Sequence, residues 1–219
     1  RYNSYSPDSF ITKINNNSGS FVRVDDTTIE ILETIKYYSS KLDGEYDVTI
    51  MPLIKLWGFY KDKQNVIPSE DEIEVVKKLV NYKNIEINKE AKEVKIAKDQ
   101  EIITGSFVKS FAVEKLVDKM KEMGIPRAII NAGGSTLRAV NDDIQSTWGV
   151  IVENPNDSEN DLFDIEICNE TFSTSAQTNT YVEINGKKYG HIISPKTGFP
   201  SENKQIGIIT ESGFIGDII

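Results

Sequence analysis

The 219-residue chain is 38% apolar and 27% charged, a globular balance that fits one sizeable domain or two small interleaved lobes and contains no run near the roughly 18 apolar residues a membrane-spanning helix needs. Its formal charge of -9, with lysines scattered among carboxylates, leaves no basic face of the kind a nucleic-acid binder shows. One cysteine and one histidine exclude an internal disulfide and a Cys/His zinc cluster, so any metal must be held mainly by oxygen, as magnesium and calcium are.

In chain order, Asp25 or Asp26 caps a predicted helix over 28–41, with Ile29, Ile31, Leu32 and Ile35 at roughly helical spacing. A second helix starts at Ser69, where Glu72 completes a capping box, and Ile73, Val76 and Leu79 mark its buried stripe. A third is expected over about 109–123, with Ala112, Leu116, Met120 and Met123 inward, Gly124 ending it and Pro126 following. The charged runs 70–78 and 115–121 read as solvated helix faces. Short strands are expected at 84–87, 93–96, 128–131, 136–140, 148–152, 163–168, 181–184, 188–193 and 206–210. Asn185-Gly186 between two of them is a two-residue hairpin turn, because both residues tolerate positive φ. Cys168, in the alternating run 163–168, reads as a packing residue rather than a nucleophile. Many consecutive strands with three inserted helices predict an α+β fold with largely antiparallel sheet.

Four segments carry candidate chemistry. Gly105-Ser106-Phe107-Val108-Lys109-Ser110 leads from a strand into a helix. Its free backbone N–H groups and Lys109 suit a phosphate, although the spacing is not that of a P-loop and an ordinary strand-to-helix turn reads the same way. Asn131-Ala132-Gly133-Gly134-Ser135 joins two strands; its glycines permit positive φ and a flat ligand above them, or simply a β-turn. His191 ends a strand before the rigid loop Ser194-Pro195-Lys196-Thr197-Gly198-Phe199-Pro200, the setting of a general base or of a structural histidine. Gly216-Asp217-Ile218-Ile219 closes the sequence with an acid that composition alone reads as surface.

In this order and spacing the segments resemble the FAD:protein FMN transferase (ApbE) family. Five blocks carry the resemblance across nearly the whole chain: Tyr5-Ser6-Pro7-Asp8-Ser9; residues 42–49 continuing through Pro52-Leu53 to Leu56-Trp57-Gly58-Phe59; residues 105–114; Asn131-Ala132-Gly133-Gly134; and Ser173-Thr174-Ser175 followed by residues 191–200. The resemblance implies a T-fold-like α+β domain over 1–219, cut short at both ends, with FAD in a cleft between lobes. It places Tyr5 on the isoalloxazine ring, Gly105, Ser106 and Lys109 at the pyrophosphate, and Glu114 (usually Asp) at the adenosine ribose. Gly133 and Gly134 would floor the cleft, Ser175 would line the flavin site, and His191 would lie beside the phosphate, with Ile192 and Thr197 also contacting FAD. A magnesium ion would take the backbone carbonyl of Val108, Asp217 and a threonine expected beyond Ile219. Ile103, Ser135 and Ser194 stand where the family usually has Asp, Ser110 where it has Gly, and Lys196 where it has Arg.

The implied reaction moves FMN from FAD to a Thr or Ser hydroxyl of an acceptor protein and releases AMP, with His191 as base and Lys109 stabilising the leaving side. The alternatives are an FAD pyrophosphatase giving FMN and AMP, and an FAD-binding paralogue without turnover. Family habit also implies an extracytoplasmic, membrane-anchored lipoprotein, its lipid anchor outside these residues. No nucleic-acid partner is expected.

Overall fold

The computed structural model describes residues 1–3, 6–59, 66–157, 159–177 and 180–219. Two compact units emerge, each assembled from two stretches of chain: 1–106 with 180–202, and 107–179 with 203–219.

The first unit opens with α1 (Phe10–Asn16), started by Ser9, whose hydroxyl accepts from the Thr12 N–H at 3.0 Å. The short strand β1 (Val22–Arg23) precedes α2 (Asp26–Lys41), the predicted first helix, and Asp25 is its cap, accepting from the Thr28 N–H at 2.9 Å. In α3 (Met51–Leu56) a proline sits in the first turn, where its missing N–H leaves no intrahelical bond unmade. The predicted capping box starts α4 (Glu70–Lys77): Ser69 takes the Glu72 N–H and the Glu72 carboxylate takes the Ser69 N–H. A 3-10 turn over Tyr82–Asn84 occupies the start of the strand expected at 84, so β2 runs Glu86–Asn88, followed by β3 (Glu93–Lys95). These strands form an antiparallel sheet in the order β1-β3-β2. Leu53, Trp57, Ile73 and Ile193 make one buried cluster of this unit.

The second unit begins with α5 (Val108–Glu122), β4 (Ala128–Asn131), β5 (Thr136–Val140), β6 (Trp148–Glu153), β7 (Asp161–Ile167) and β8 (Thr171–Ala176). The chain then returns to the first unit as the hairpin β9 (Tyr181–Ile184) and β10 (Lys187–Gly190), turned by Asn185 and Gly186 at φ 53° and 77° as the sequence predicts. It ends in the second unit with β11 (Gln205–Thr210) and α6 (Gly213–Gly216). A four-stranded antiparallel sheet, β11-β8-β5-β4, is the backbone of this unit. The β6–β7 hairpin packs Val150, Val152 and Ile167 onto Ala139 and Phe172 of that sheet.

The mixed helices and antiparallel sheets meet the α+β expectation. Three details correct the sequence reading. In α5 the inward residues are Val113, Val117 and Met120, while Ala112, Leu116 and Met123 are exposed. Both sets have helical spacing, so periodicity alone could not choose the face that meets the sheet. Cys168 lies just past the end of β7 and is exposed; the alternation that turns Ile165 and Ile167 inward puts Asp164, Glu166 and Cys168 on the outward face. The central strand β8 is absent from the predicted set: its run Thr171-Phe172-Ser173-Thr174-Ser175 has one large apolar residue and no apolar–polar alternation, and only the fold supplies the two neighbours that pair with it.

Candidate functional site

In the first unit the segment before α5 is fixed from two sides. Asn15 of α1 exchanges two hydrogen bonds with Ile102, donating to its carbonyl at 2.9 Å and accepting from its N–H at 2.8 Å. The Ile103 N–H donates to the Val48 carbonyl at 2.9 Å. Gly105 and Ser106 follow, and the Ser106 hydroxyl lies 2.9 Å from the Tyr46 phenol. Tyr46 sits beside a buried knot. One Asp47 oxygen accepts from the Thr49 N–H at 2.8 Å and the Thr49 hydroxyl at 2.6 Å, and the other accepts from the Tyr82 N–H at 2.7 Å. Burial pushes the Asp47 carboxyl above its ordinary pKa, and those three donors oppose the shift.

His191 follows β10. Its Nδ1 lies 3.2 Å from the Thr180 carbonyl oxygen, an acceptor, so Nδ1 carries the proton and Nε2 keeps its lone pair. Phe59 stands edge-on to the ring at 6.4 Å. Burial lowers the imidazole pKa below 6.5, and the Thr180 carbonyl partly offsets this. The histidine is therefore neutral at pH 7 with an unprotonated nitrogen available, the state of a general base. The loop beyond it is locked: buried Trp57 donates from Nε1 to the Gly198 carbonyl at 2.8 Å and packs on Tyr189 and Phe199. The Ser194 hydroxyl accepts from the Thr197 N–H, and the Thr197 hydroxyl accepts from the Phe199 N–H. Ile192 is tied by its carbonyl to the Ser201 N–H at 2.8 Å. Lys196 pairs with Asp43 and Glu45. Tyr5, expected on the flavin ring, lies outside the described residues.

The second unit holds the remaining expected residues. No side chain caps the start of α5 and no acid sits in its first turn, so its first N–H groups and exposed Lys109 face the same end of the helix. Lys109 donates to the Ser135 hydroxyl, a neutral partner. The neighbouring Gly133 and Gly134 adopt φ of 72° and 78°, held by the Gly134 N–H donating to Asn131 Oδ1 at 2.8 Å. A methyl group added at either glycine would meet nothing within 4 Å, so they serve the turn's conformation and leave the space above it open. Ser175 is exposed on β8, paired with Ile206 of β11.

Asp217 follows α6 and is half-buried. Burial raises its pKa; the Ser110 and Ser173 hydroxyls and the Lys109 charge lower it, and Glu114 raises it. Ser173 Oγ leans toward Asp217 but makes no hydrogen bond of normal geometry, and the buried hydroxyl of Thr136, opposite it in the β5–β8 register, also has no partner. The partly buried Asp217 carboxylate and the unpartnered Ser173 and Thr136 hydroxyls offer the oxygen donors that a hard divalent cation takes, with the Lys109 charge acting on the same carboxylate. Among the described residues there is no cluster of three or more His, Cys, Asp or Glu side chains that could hold a metal, so carbonyl and hydroxyl oxygens would have to complete the shell. The Glu114 carboxylate accepts from the Ser212 hydroxyl and from the Phe214 N–H at 3.1 Å. The roles of Tyr46, Ser173 and Ser212 were not legible in the sequence. Only Ser212, a capping residue type before a glycine, left a signal there.

Among the described residues no helix is long and apolar enough to cross a membrane. The FAD:protein FMN transferase of Escherichia coli K12 is 28% identical over 211 residues, covering 93% of this chain and 60% of its own. That of Vibrio cholerae is 25% identical over 210 residues, covering 93% and 62%. The chain thus spans about 60% of the length of these curated relatives. The ApbE protein of Thermotoga maritima superposes with a TM-score of 0.92 at 24% identity, over 99% of this chain and 71% of that one. The apo flavinyl transferase ApbE of Pseudomonas stutzeri gives 0.84 at 24%, over 100% and 69%. These likenesses establish the fold, and the sequence model of the ApbE family matches residues 1–219 in full. The chain belongs to the ApbE family.

Proposed function

We propose that this protein transfers FMN from FAD to a Thr or Ser hydroxyl of an acceptor protein and releases AMP, with residues 1–219 acting as one flavin-transferase module. The observation that carries the reading is His191, a neutral imidazole whose proton is parked on Nδ1 by the Thr180 carbonyl, leaving Nε2 as a base. The relatives of like sequence are FAD:protein FMN transferases, which supplies the substrate class.

The acceptor hydroxyl oxygen forms a bond to the FMN-side phosphorus as the bond from that phosphorus to the AMP oxygen breaks. Nε2 of His191 takes the hydroxyl proton, and AMP leaves with the electron pair. Such a transfer asks the protein mainly for positioning and charge neutralisation. Gly105 and Ser106, the latter held by Tyr46, line the pyrophosphate. Lys109 meets the leaving phosphate; its tie to a neutral Ser135 leaves its positive charge uncompensated by that partner. Gly133, Gly134 and Ser175 present open or exposed surface to the flavin, with Tyr5, Ile192 and Thr197 completing the contacts. Asp217 and the Val108 carbonyl hold magnesium, which when bound neutralises phosphate charge.

Incubating full-length protein with FAD, magnesium and an acceptor domain tests the reading. Covalent flavin fluorescence on the acceptor supports it, free FMN and AMP without labelling indicate hydrolysis, and intact FAD indicates a binding protein. An extracytoplasmic, lipid-anchored location is part of the proposal and rests on the family resemblance; sequencing the native N-terminus checks it.

A further inference from the structure

We infer that Glu114 is a positioning residue that seats the Asp217-bearing segment for a divalent cation, an inference resting on the reading above that Asp217 is a metal ligand. The resemblance would place this carboxylate on the ribose of FAD. The geometry gives it another task. A single carboxylate oxygen of Glu114 accepts from two donors at the start of α6, the Ser212 hydroxyl and the Phe214 N–H at 3.1 Å. Ser212 is itself the cap of α6: its oxygen accepts from the Ile215 N–H at 3.2 Å while its proton goes to Glu114. Glu114 thereby fixes the orientation of the capping hydroxyl as well as one of the helix's orphan N–H groups.

The remaining contacts of α6 leave it little freedom once that end is fixed. Phe214 packs edge-on against Phe107 and Phe111 of the α5 start, at 6.0 and 5.8 Å. Gly213 and Gly216 lie so close to the sheet that a methyl group would come within 2.9 Å of the Thr171 side chain at the first and 2.6 Å of the Thr210 hydroxyl at the second. The Asp217 N–H donates to the Gly213 carbonyl at 2.9 Å, so the carboxylate's place follows from that of α6. Arg138 donates to the carbonyls of Asn169 and Glu211 just before the helix, and Glu114 also acts on it through charge. A charge-only role toward Arg138 must therefore be separated from hydrogen bonding to α6.

Three measurements on full-length protein do so: Mn²⁺ affinity by calorimetry, FAD affinity in EDTA, and amide hydrogen exchange of residues 212–217 without metal. Glu114→Ala should weaken Mn²⁺ binding about 10–100-fold, the usual loss when a partner that orients a ligand is removed, and speed exchange at Phe214. Its FAD affinity in EDTA should match that of the wild type. Glu114→Gln keeps an oxygen for both donors and should stay within about threefold of the wild type, below the usual range for that loss. Unchanged Mn²⁺ affinity in Glu114→Ala, or a Glu114→Gln loss as large as that of Glu114→Ala, overturns the inference, as does weakened FAD binding in EDTA. If Glu114→Ala does not fold, Ser212→Ala removes one donor and leaves Glu114 in place; it should still weaken Mn²⁺ binding, and wild-type affinity there overturns the inference. A wild-type protein that binds FAD but no Mn²⁺ refutes the metal assignment itself, a result distinct from a failure of Glu114 alone.

Discussion

Replacing His191 with Ala separates chemistry from stability because the two effects differ in size. Loss of a general base typically slows a reaction about 10²–10⁴-fold, or roughly 2.7–5.4 kcal/mol of barrier. The structural cost is smaller. The side chain gives up one hydrogen bond to a backbone carbonyl, about 0.5–1.5 kcal/mol, and one edge-on aromatic contact with Phe59, about as much again. Even a loss of about 3 kcal/mol, applied to a protein with roughly one molecule in 10³ unfolded, leaves more than about four-fifths of molecules folded. A hundredfold fall in initial rate therefore cannot come from unfolding. The assay pairs a thermal melt with the initial rate of acceptor flavinylation on one sample, with FAD affinity as a control that should hold. The wild-type rate should also fall on the acid side with a midpoint below 6.5 and stay level from pH 7 to 8, because burial lowers the imidazole pKa and the neutral form is the base. The stability linkage has the same sign: the contribution of neutral His191 is complete above 6.5 and is lost as pH falls through the lowered folded value. Near-wild-type turnover by folded His191→Ala would remove His191 from the mechanism.

Tyr46→Phe deletes the 2.9 Å bond to Ser106 and should weaken FAD and ADP binding roughly two- to tenfold while sparing riboflavin; calorimetry with the three ligands checks this, and equal losses for all three would mean a general structural defect. Asp47→Asn sets an amide N–H₂ against one of the three donors that converge on the carboxylate. It should cost about 1–3 kcal/mol and lower the melting temperature by roughly 2–4 °C per kcal/mol; an unshifted melt contradicts the knot's importance. Gly198→Ala forces a methyl group to 2.3 Å from Ile73 Cγ2 at a φ of 76°. A loss of about 2–4 kcal/mol is expected in denaturant titrations, and a neutral result would show that the loop after His191 can shift.

Local chemistry in the sequence determined much of this protein. Asp25, the Ser69–Glu72 box and Asn185-Gly186 each act within four residues, so caps and turn could be read without knowing what packs around them. The resemblance marked His191, Lys109 and Asp217 as candidate positions along the chain. Partners distant in sequence were decided only by tertiary structure. Which face of α5 turns inward depends on the sheet beneath it, since two stripes of equal spacing competed. β8 became a central strand because β5 and β11 flank it, although its own run lacks the apolar–polar alternation that marks a strand in sequence. The states of the site side chains followed the same rule: the proton on His191 is placed by a carbonyl 11 residues away, Ser106 is held by a phenol 60 residues away, and Glu114 is engaged by donors 98 and 100 residues away. A side chain's protonation and hydrogen bonding are set by whatever group lies within about 3 Å of it, and that neighbour is chosen by packing of the whole chain rather than by sequence proximity.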